Sequence, residues 1–235
     1  MRNFLYGPIM KRIEQAPEHF IVQRDIHLLS AFLYGYQDIL LEIDNYSTLC
    51  ELYLDTPSLE DFARQKYQVS EIRARNFTSL LAWYSEDSRD LFYRYIAFIK
   101  EYEATFPVNR DICWVLREKP ALPLKILLAG IRRRYPMYFG HNDLSHLRAF
   151  LDGYFLCKTE YCLPLDDFEE KVLAFTHSIE CEIVSASGLF STWDRKFRYD
   201  REWQPWGDCD GNTATHILAA FWSELEKFTG SLTDS

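Results

Sequence analysis

Apolar and polar residues follow a helical period over the segment "DIHLLSAFLYGY", residues 25–36. Its large apolar side chains recur every three or four positions, at Ile26, Leu29, Leu33 and Tyr36. This spacing places them on one face of an α-helix. Asp25 stands immediately before the pattern, where aspartate is a favoured N-cap. We therefore expect a helix that begins after Asp25 and buries one face.

The same pattern returns 118 residues later in "DLSHLRAFLDGY", residues 143–154. Seven of the twelve positions are identical, and Asp143 occupies the N-cap position. The apolar positions keep their spacing, at Leu144, Leu147, Leu151 and Tyr154. Gly35 and Gly153 occupy equivalent places. Because glycine inside a helix costs about 1 kcal/mol relative to alanine, we expect two close helix contacts there.

Trp83 and Trp206 begin a second pair of matching segments. Both read Trp, three residues, Asp, nine residues, Ala-Phe, two residues, Glu, one residue, Glu. The two matches occur in the same order and at similar separation. We interpret the chain as a tandem duplication of one helical unit, with repeats at residues 1–118 and 119–235 that meet around the proline-containing "REKPALP". The repeats are expected to pack as one compact body with a pseudo-twofold relation.

Further helices are predicted from start and stop signals. "SEDSRDLFYRYIAFIKEYEATF" offers Ser85 or Ser88 as a cap and ends before Pro107. "NTATHILAAFWSELEKFTG" begins at Asn212 or Thr213 and has Gly230 as a stop. "PLKILLAGIRRRYP" and "PLDDFEEKVLAFTHSIECEIV" are also typical of helices. The first of these leads into a Pro-Met-Tyr-Phe-Gly turn.

Strand signals are confined to two short stretches, "ICWVL" around Trp114 and "KFRYD" around Phe197. We therefore predict an all-α fold, mainly helical, with few or no strands.

Composition is that of a globular protein: 48% of residues are hydrophobic, 16% are aromatic, and glycine and proline number only nine each. No stretch has the length of a signal peptide core or of a membrane span. We expect a cytoplasmic protein that does not enter a membrane. The six cysteines are expected to be reduced thiols.

The formal charge of −9 is unevenly distributed. Residues 1–135 hold 18 basic and 18 acidic residues, whereas residues 136–235 hold 8 and 17, so the net charges are 0 and −9. An acidic surface repels nucleic acid and attracts basic partners. Nucleic-acid binding is therefore not expected, and the run Arg132, Arg133 and Arg134 is interpreted as a positive collar at a helix end.

Motifs for a nucleophile, a phosphate loop or a dinucleotide are absent from the sequence, so no catalytic residue and no cofactor is predicted. One set of residues could resemble a metal site: Cys157, Cys162, His177 and Cys181. Its loose spacing favours packed thiols instead. The acidic run "DDFEE" at residues 166–170 is interpreted as a solvated helix face.

Aromatic and acidic residues alternate between residues 193 and 210. We predict that this segment binds a partner, with the following contact residues: Asp194, Asp200, Glu202, Trp203, Trp206, Asp208 and Asp210. Trp193 and Tyr199 lie in the same stretch. The alternative interpretation is a tryptophan-rich loop packed on its own core.

The run "RRRYPMYFGHNDLSHLRAFLDGY" resembles a pattern in small bacterial immunity proteins encoded beside polymorphic or contact-dependent toxins: basic residues, Pro-x-Met-Tyr-Leu-Gly, then a helix that ends Ala-Phe-Leu/Ile-Asp-Gly-Tyr. Phe139 replaces the leucine here, and "WYSEDSRDLFYRYIAFIKEYE" is similar to a later segment of that family. The resemblance implies a stoichiometric inhibitor that neutralises a cognate toxin, often a basic nuclease domain. An acidic, aromatic surface would suit such a partner.

Two other functions are open from the residues alone. One is an enzyme with its active site in the cleft between the repeats, which would be metal-dependent if Cys157, Cys162, His177 and Cys181 were ligands. The other is a structural adaptor that uses apolar helix faces.

Overall fold

A computed structural model describes residues 8–43, 59–69, 77–106, 122–139, 144–187 and 211–230. These residues form ten α-helices and one 3-10 helix, and no β-strand occurs among them. The expected all-α class is confirmed. Both strand candidates, around Trp114 and Phe197, lie outside the described residues.

The elements follow in the order α1 (Pro8–Gln15), η1 (Pro17–His19, the 3-10 helix), α2 (Ile26–Ile43), α3 (Leu59–Tyr67), α4 (Phe77–Trp83), α5 (Ser88–Thr105), α6 (Leu124–Arg133), α7 (Tyr135–Phe139), α8 (Leu144–Glu160), α9 (Asp167–Ser187) and α10 (Gly211–Thr229). No helix in this series combines the length and the apolar character that crossing a lipid bilayer requires.

The segments that match in sequence also match in local structure. α2 and α8 begin 118 residues apart, and each follows a short helical element, η1 or α7, and before that a longer helix, α1 or α6. α5 and α10 begin directly after the matched aspartates Asp87 and Asp210. Order and spacing therefore agree with what a duplication requires. The duplication itself stays a prediction.

α2 and α8 pack against each other over the most extensive contact between any two described helices. The two expected apolar stripes are confirmed as buried: Ile26, Leu29, Leu33 and Tyr36 on α2, and Leu144, Leu147, Leu151 and Tyr154 on α8. The N-cap is confirmed as well, since the Asp25 carboxylate accepts the backbone N–H of His27 at 2.7 Å. Burying side chains of this size stabilises the fold by about 1.5 to 3 kcal/mol each.

The two glycines explain how closely α2 and α8 approach. A Cβ placed on Gly35 would lie 2.0 Å from the carbonyl oxygen of Phe150, and one placed on Gly153 would lie 2.0 Å from the carbonyl oxygen of Phe32. Phe32 and Phe150 are equivalent positions of the repeated segment. Each glycine therefore lies against the backbone of the other helix at the matching place. The expected close contacts are confirmed.

Matching phenylalanines also anchor α5 and α10. On α5, the Phe98 ring lies 5.3 Å from that of Phe62 and 5.5 Å from that of Phe77. On α10, the Phe221 ring lies 5.7 Å from that of Phe175 on α9. α5 thereby holds α3 and α4 beside α2, while α10 holds α9. The apolar face expected on α10 is confirmed as buried: Ile217, Leu218, Phe221, Trp222 and Leu225.

The expected cap of α5 is wrong. The helix begins at Ser88, and its N-cap is Asp87, whose carboxylate accepts the backbone N–H of Asp90 at 2.7 Å. Ser85 instead donates its hydroxyl to the Leu81 carbonyl at the end of α4. A carboxylate at this position satisfies an unpaired donor and also interacts favourably with the positive end of the helix dipole.

The stretch expected to form a Pro-Met-Tyr-Phe-Gly turn is helical from Pro136 to Phe139, and Gly140 lies outside the described residues. Pro136 lies in the first turn of α7, where the N–H that proline lacks has no intrahelical partner. Tyr135 and Phe139 are buried with their rings 5.0 Å apart. Because these two residues face inward, Met137 and Tyr138 remain on the surface.

Candidate functional site

The residues predicted to bind a partner lie outside the described part of the chain. These are Asp194, Asp200, Glu202, Trp203, Trp206, Asp208 and Asp210, all of which fall between residues 188 and 210. The structure therefore says nothing of their arrangement.

An aromatic and acidic edge is present where α4 meets α5. Trp83, the last residue of α4, is 62% exposed, and Tyr84 beside it is also exposed. The Tyr84 ring stacks on that of Tyr67 at 4.5 Å, which fixes its position. Glu86 and Asp87 follow after Ser85 and are exposed. We call Tyr67, Trp83, Tyr84, Glu86 and Asp87 the Trp83 edge. It presents a large aromatic side chain beside two carboxylates.

A second surface lies where α6 meets α7. Ile126, Met137 and Tyr138 are exposed there, Met137 to 76%. The Tyr138 hydroxyl lies 3.4 Å from the position that a Cβ on Gly130 would take, so this side chain lies across α6. Arg133, exposed, follows Ile126 along the same helix. We call the surface formed by Ile126, Arg133, Met137 and Tyr138 the α6–α7 corner.

A groove of about 660 Å³ lies between residues of the two predicted repeats. His19, Phe20 and Phe32 line it from the first, and α8, α9 and the loop between them line it from the second. Its polar lining comprises His19, Arg148, Asp152, Lys158, Thr159, Cys162, Thr176 and His177. The groove is the described feature that corresponds to the cleft expected of an enzyme.

The residues considered for a metal site are separated by burial. Cys157 is buried inside α8, whereas Cys162 is exposed in the following loop, with φ +52°. His177 is exposed on α9, and the side chain of Cys181 lies outside the described residues. Within the part of the chain that the structure describes, no three His, Cys, Asp or Glu side chains come together as a metal site would require.

A buried ionic cluster was not predicted. Lys158 and Glu169 are both buried, with the ammonium 2.9 Å from the Glu169 Oε1. Tyr154 donates its hydroxyl to the same carboxylate, and the Asp166 N–H donates to it at 2.9 Å. The cluster borders a cavity of about 320 Å³. Since Lys158 also reaches the Pro164 carbonyl at 3.3 Å, the group fixes the α8–α9 loop.

Tyr36, the position equivalent to Tyr154, also uses its hydroxyl on a carboxylate. It donates to Glu160 at 2.7 Å, and Glu160 also pairs with Arg12. Burial, followed by this hydrogen bond to Glu160, raises the pKa of Tyr36 far above its ordinary value. The phenol therefore stays protonated even at the alkaline pH where an ordinary tyrosine ionises, and it acts as a donor that joins α2 to α8.

His146 is buried in α8, where its ring stacks at 6.1 Å from that of Phe139 and lies 6.5 Å from that of His27. These contacts place it in the packing between α2, α7 and α8. His141 lies outside the described residues.

Comparison with known proteins adds no assignment: no family model, no curated protein and no solved structure matches this chain.

Proposed function

We propose that this chain is an immunity protein, which binds a cognate bacterial toxin in the cytoplasm and neutralises it through an acidic, aromatic surface. The observation that carries the proposal is the exposure of Trp83 beside Glu86 and Asp87. Tryptophan is mostly buried on average and is enriched among the residues that dominate binding energy. Trp83 also lies in a segment that is similar to the immunity family.

The Trp83 edge has a counterpart in the predicted contact segment. Trp206 and Asp210 match Trp83 and Asp87 in the sequence repeat. If the chain is a duplication, the sequence of each unit carries a tryptophan close to carboxylates. Residues 136–235 add a net charge of −9. This combination suits a basic nuclease-type toxin, because opposite charge speeds encounter and a buried tryptophan slows dissociation.

The first experiment is rescue by co-expression. Cells that produce the toxin encoded beside this chain should grow only when the chain is present, and the two proteins should purify together.

Replacing Trp83 with alanine should weaken binding by roughly 2 kcal/mol, about thirtyfold in Kd. Val22→Ala is the control, because Val22 is also an exposed apolar residue. Unchanged growth inhibition with the wild-type chain present would refute the proposal.

The acidic contact residues are tested by association kinetics. Asp208→Lys with Asp210→Lys should slow association with the toxin at low salt, and added salt should reduce the difference. Glu18→Lys with Glu170→Lys is the matched control: both glutamates are exposed, and the change in net charge is the same. Equal slowing in the two double variants would mean that net charge, rather than this segment, guides the encounter.

A second candidate function is an enzyme that acts in the groove between the repeats. The observation that favours it is the mixed lining, in which His19, Cys162 and His177 meet apolar side chains. An activity abolished by His177→Ala but unaffected by Trp83→Ala would support this function over inhibition. Toxin neutralisation that survives His177→Ala would favour the immunity protein.

A further inference from the structure

The α6–α7 corner differs in charge from the rest of this acidic chain. From Lys119 to Asn142 the sequence contains five basic residues and no Asp or Glu. Of these residues, Arg133 and Arg134 are exposed, and Arg132 pairs with Glu226 at 2.5 Å. The corner therefore presents apolar and aromatic side chains within a basic field.

Its composition is typical of the central part of a protein interface. Aromatic residues, methionine and arginine are enriched in such surfaces, whereas aspartate, glutamate and lysine are depleted. Met137 and Tyr138 are held outward because Tyr135 and Phe139 anchor the other face of α7 in the core. The Tyr138 ring also lies 6.0 Å from that of Tyr34 on α2, so α2 supports the surface as well.

We propose that the α6–α7 corner is a second contact surface for the toxin, separate from the acidic segment, and that it receives an apolar toxin surface bearing carboxylates. This inference rests on the proposed function. Arginine pairs with carboxylates in a bidentate geometry, and Met137 supplies adaptable apolar contact. Nuclease sites that hold a catalytic cation contain such carboxylates. The toxin then contacts both the acidic segment and the basic corner of this chain.

Two other occupants fit the charges less well. A second copy bound through a twofold axis would bury the same basic patch of both chains in one contact, so like charges would accumulate there. An anionic lipid surface would attract the corner but repel a chain with a formal charge of −9.

The test uses the full-length chain and the toxin encoded beside it. Met137→Glu and Arg133→Glu should each raise the Kd for the toxin on the order of tenfold or more, mainly through faster dissociation. Both side chains are exposed, so folding should be unaffected. Val22→Glu, at an exposed apolar residue elsewhere, should bind like the wild type.

The outcomes separate the two proposals. Toxin binding by the wild type, with the same Kd for Met137→Glu and Arg133→Glu, would overturn the corner while leaving the immunity function in place. No binding by the wild type would overturn both. Two further results would overturn the inference by assigning the corner to another occupant. One is sedimentation of the wild type with vesicles of phosphatidylcholine and phosphatidylserine that Met137→Glu abolishes. The other is a dimer in analytical ultracentrifugation that Met137→Glu abolishes.

Discussion

Glu169 is buried, whereas Asp167 and Glu170 beside it are exposed. Its carboxylate accepts from Tyr154, Lys158 and the Asp166 N–H. Glu169→Gln should lower the free energy of unfolding by roughly 3 kcal/mol, because Lys158 would stay buried without a counter-charge. Glu170→Gln should change it by less than about 0.5 kcal/mol. Urea denaturation of both variants checks this, and equal stabilities would show that the pair contributes nothing.

The helical spacing of the sequence indicated that Glu169 is buried, but the surrounding acidic run pointed to an exposed face. Glu169 lies on the same helix face as the buried residues Val172, Thr176 and Ile179, at intervals of three, seven and ten residues. The density of "DDFEE" nevertheless favoured a solvated face, and for Glu169 that expectation is wrong. The partner Lys158 belongs to another helix, and no local pattern indicates that contact.

The contact between α2 and α8 depends on the absence of a side chain at Gly35 and Gly153. Adding a methyl group at either position would force it to within 2.0 Å of a backbone oxygen, and neither helix can yield without separating from the other. Gly35→Ala and Gly153→Ala should each destabilise the protein by about 3 kcal/mol, as overpacking does at its upper range. Thermal unfolding measures this directly.

Gly130→Ala provides the matched control for the two helix-crossing glycines. Its new Cβ would lie 3.4 Å from the Tyr138 hydroxyl, in ordinary contact. Alanine is favoured over glycine by about 1 kcal/mol inside a helix, so stability should be unchanged or slightly higher. A loss equal to that of Gly35→Ala would show that a methyl group added inside another helix is equally destabilising, so the α2–α8 contact would not be the specific cause.

The start of α5 is set by Asp87. Asp87→Ala should cost about 1 kcal/mol because the N–H of Asp90 loses its acceptor. Ser88→Ala, inside the first turn, should have little effect. If chemical denaturation showed that Ser88→Ala lowers the free energy of unfolding more than Asp87→Ala does, the serine cap expected from the sequence would be correct after all. Serine, like aspartate, is a favoured cap, so the pattern alone could not choose among three neighbouring candidates.

The sequence repeat predicted that two pairs of segments would have the same local structure. It could not predict that α2 and α8 would contact each other. Two copies of a unit can meet through any apolar face that both expose, and the choice depends on packing over the whole surface. The glycines were the one local indication, since they marked where a backbone must come close. The acidic contact segment, at residues 193–210, stays a prediction.

Because α2 and α8 belong to different predicted repeats and share one core, the chain should unfold in a single transition. Phe92→Ala on α5 and Phe221→Ala on α10 remove fully buried rings from the two repeats, and each should cost roughly 3 to 5 kcal/mol. Circular dichroism and tryptophan fluorescence should give coincident transitions in the wild type and both variants. If Phe92→Ala shifted one transition and Phe221→Ala another, the repeats would be separate folding units, and the expected single body would be wrong.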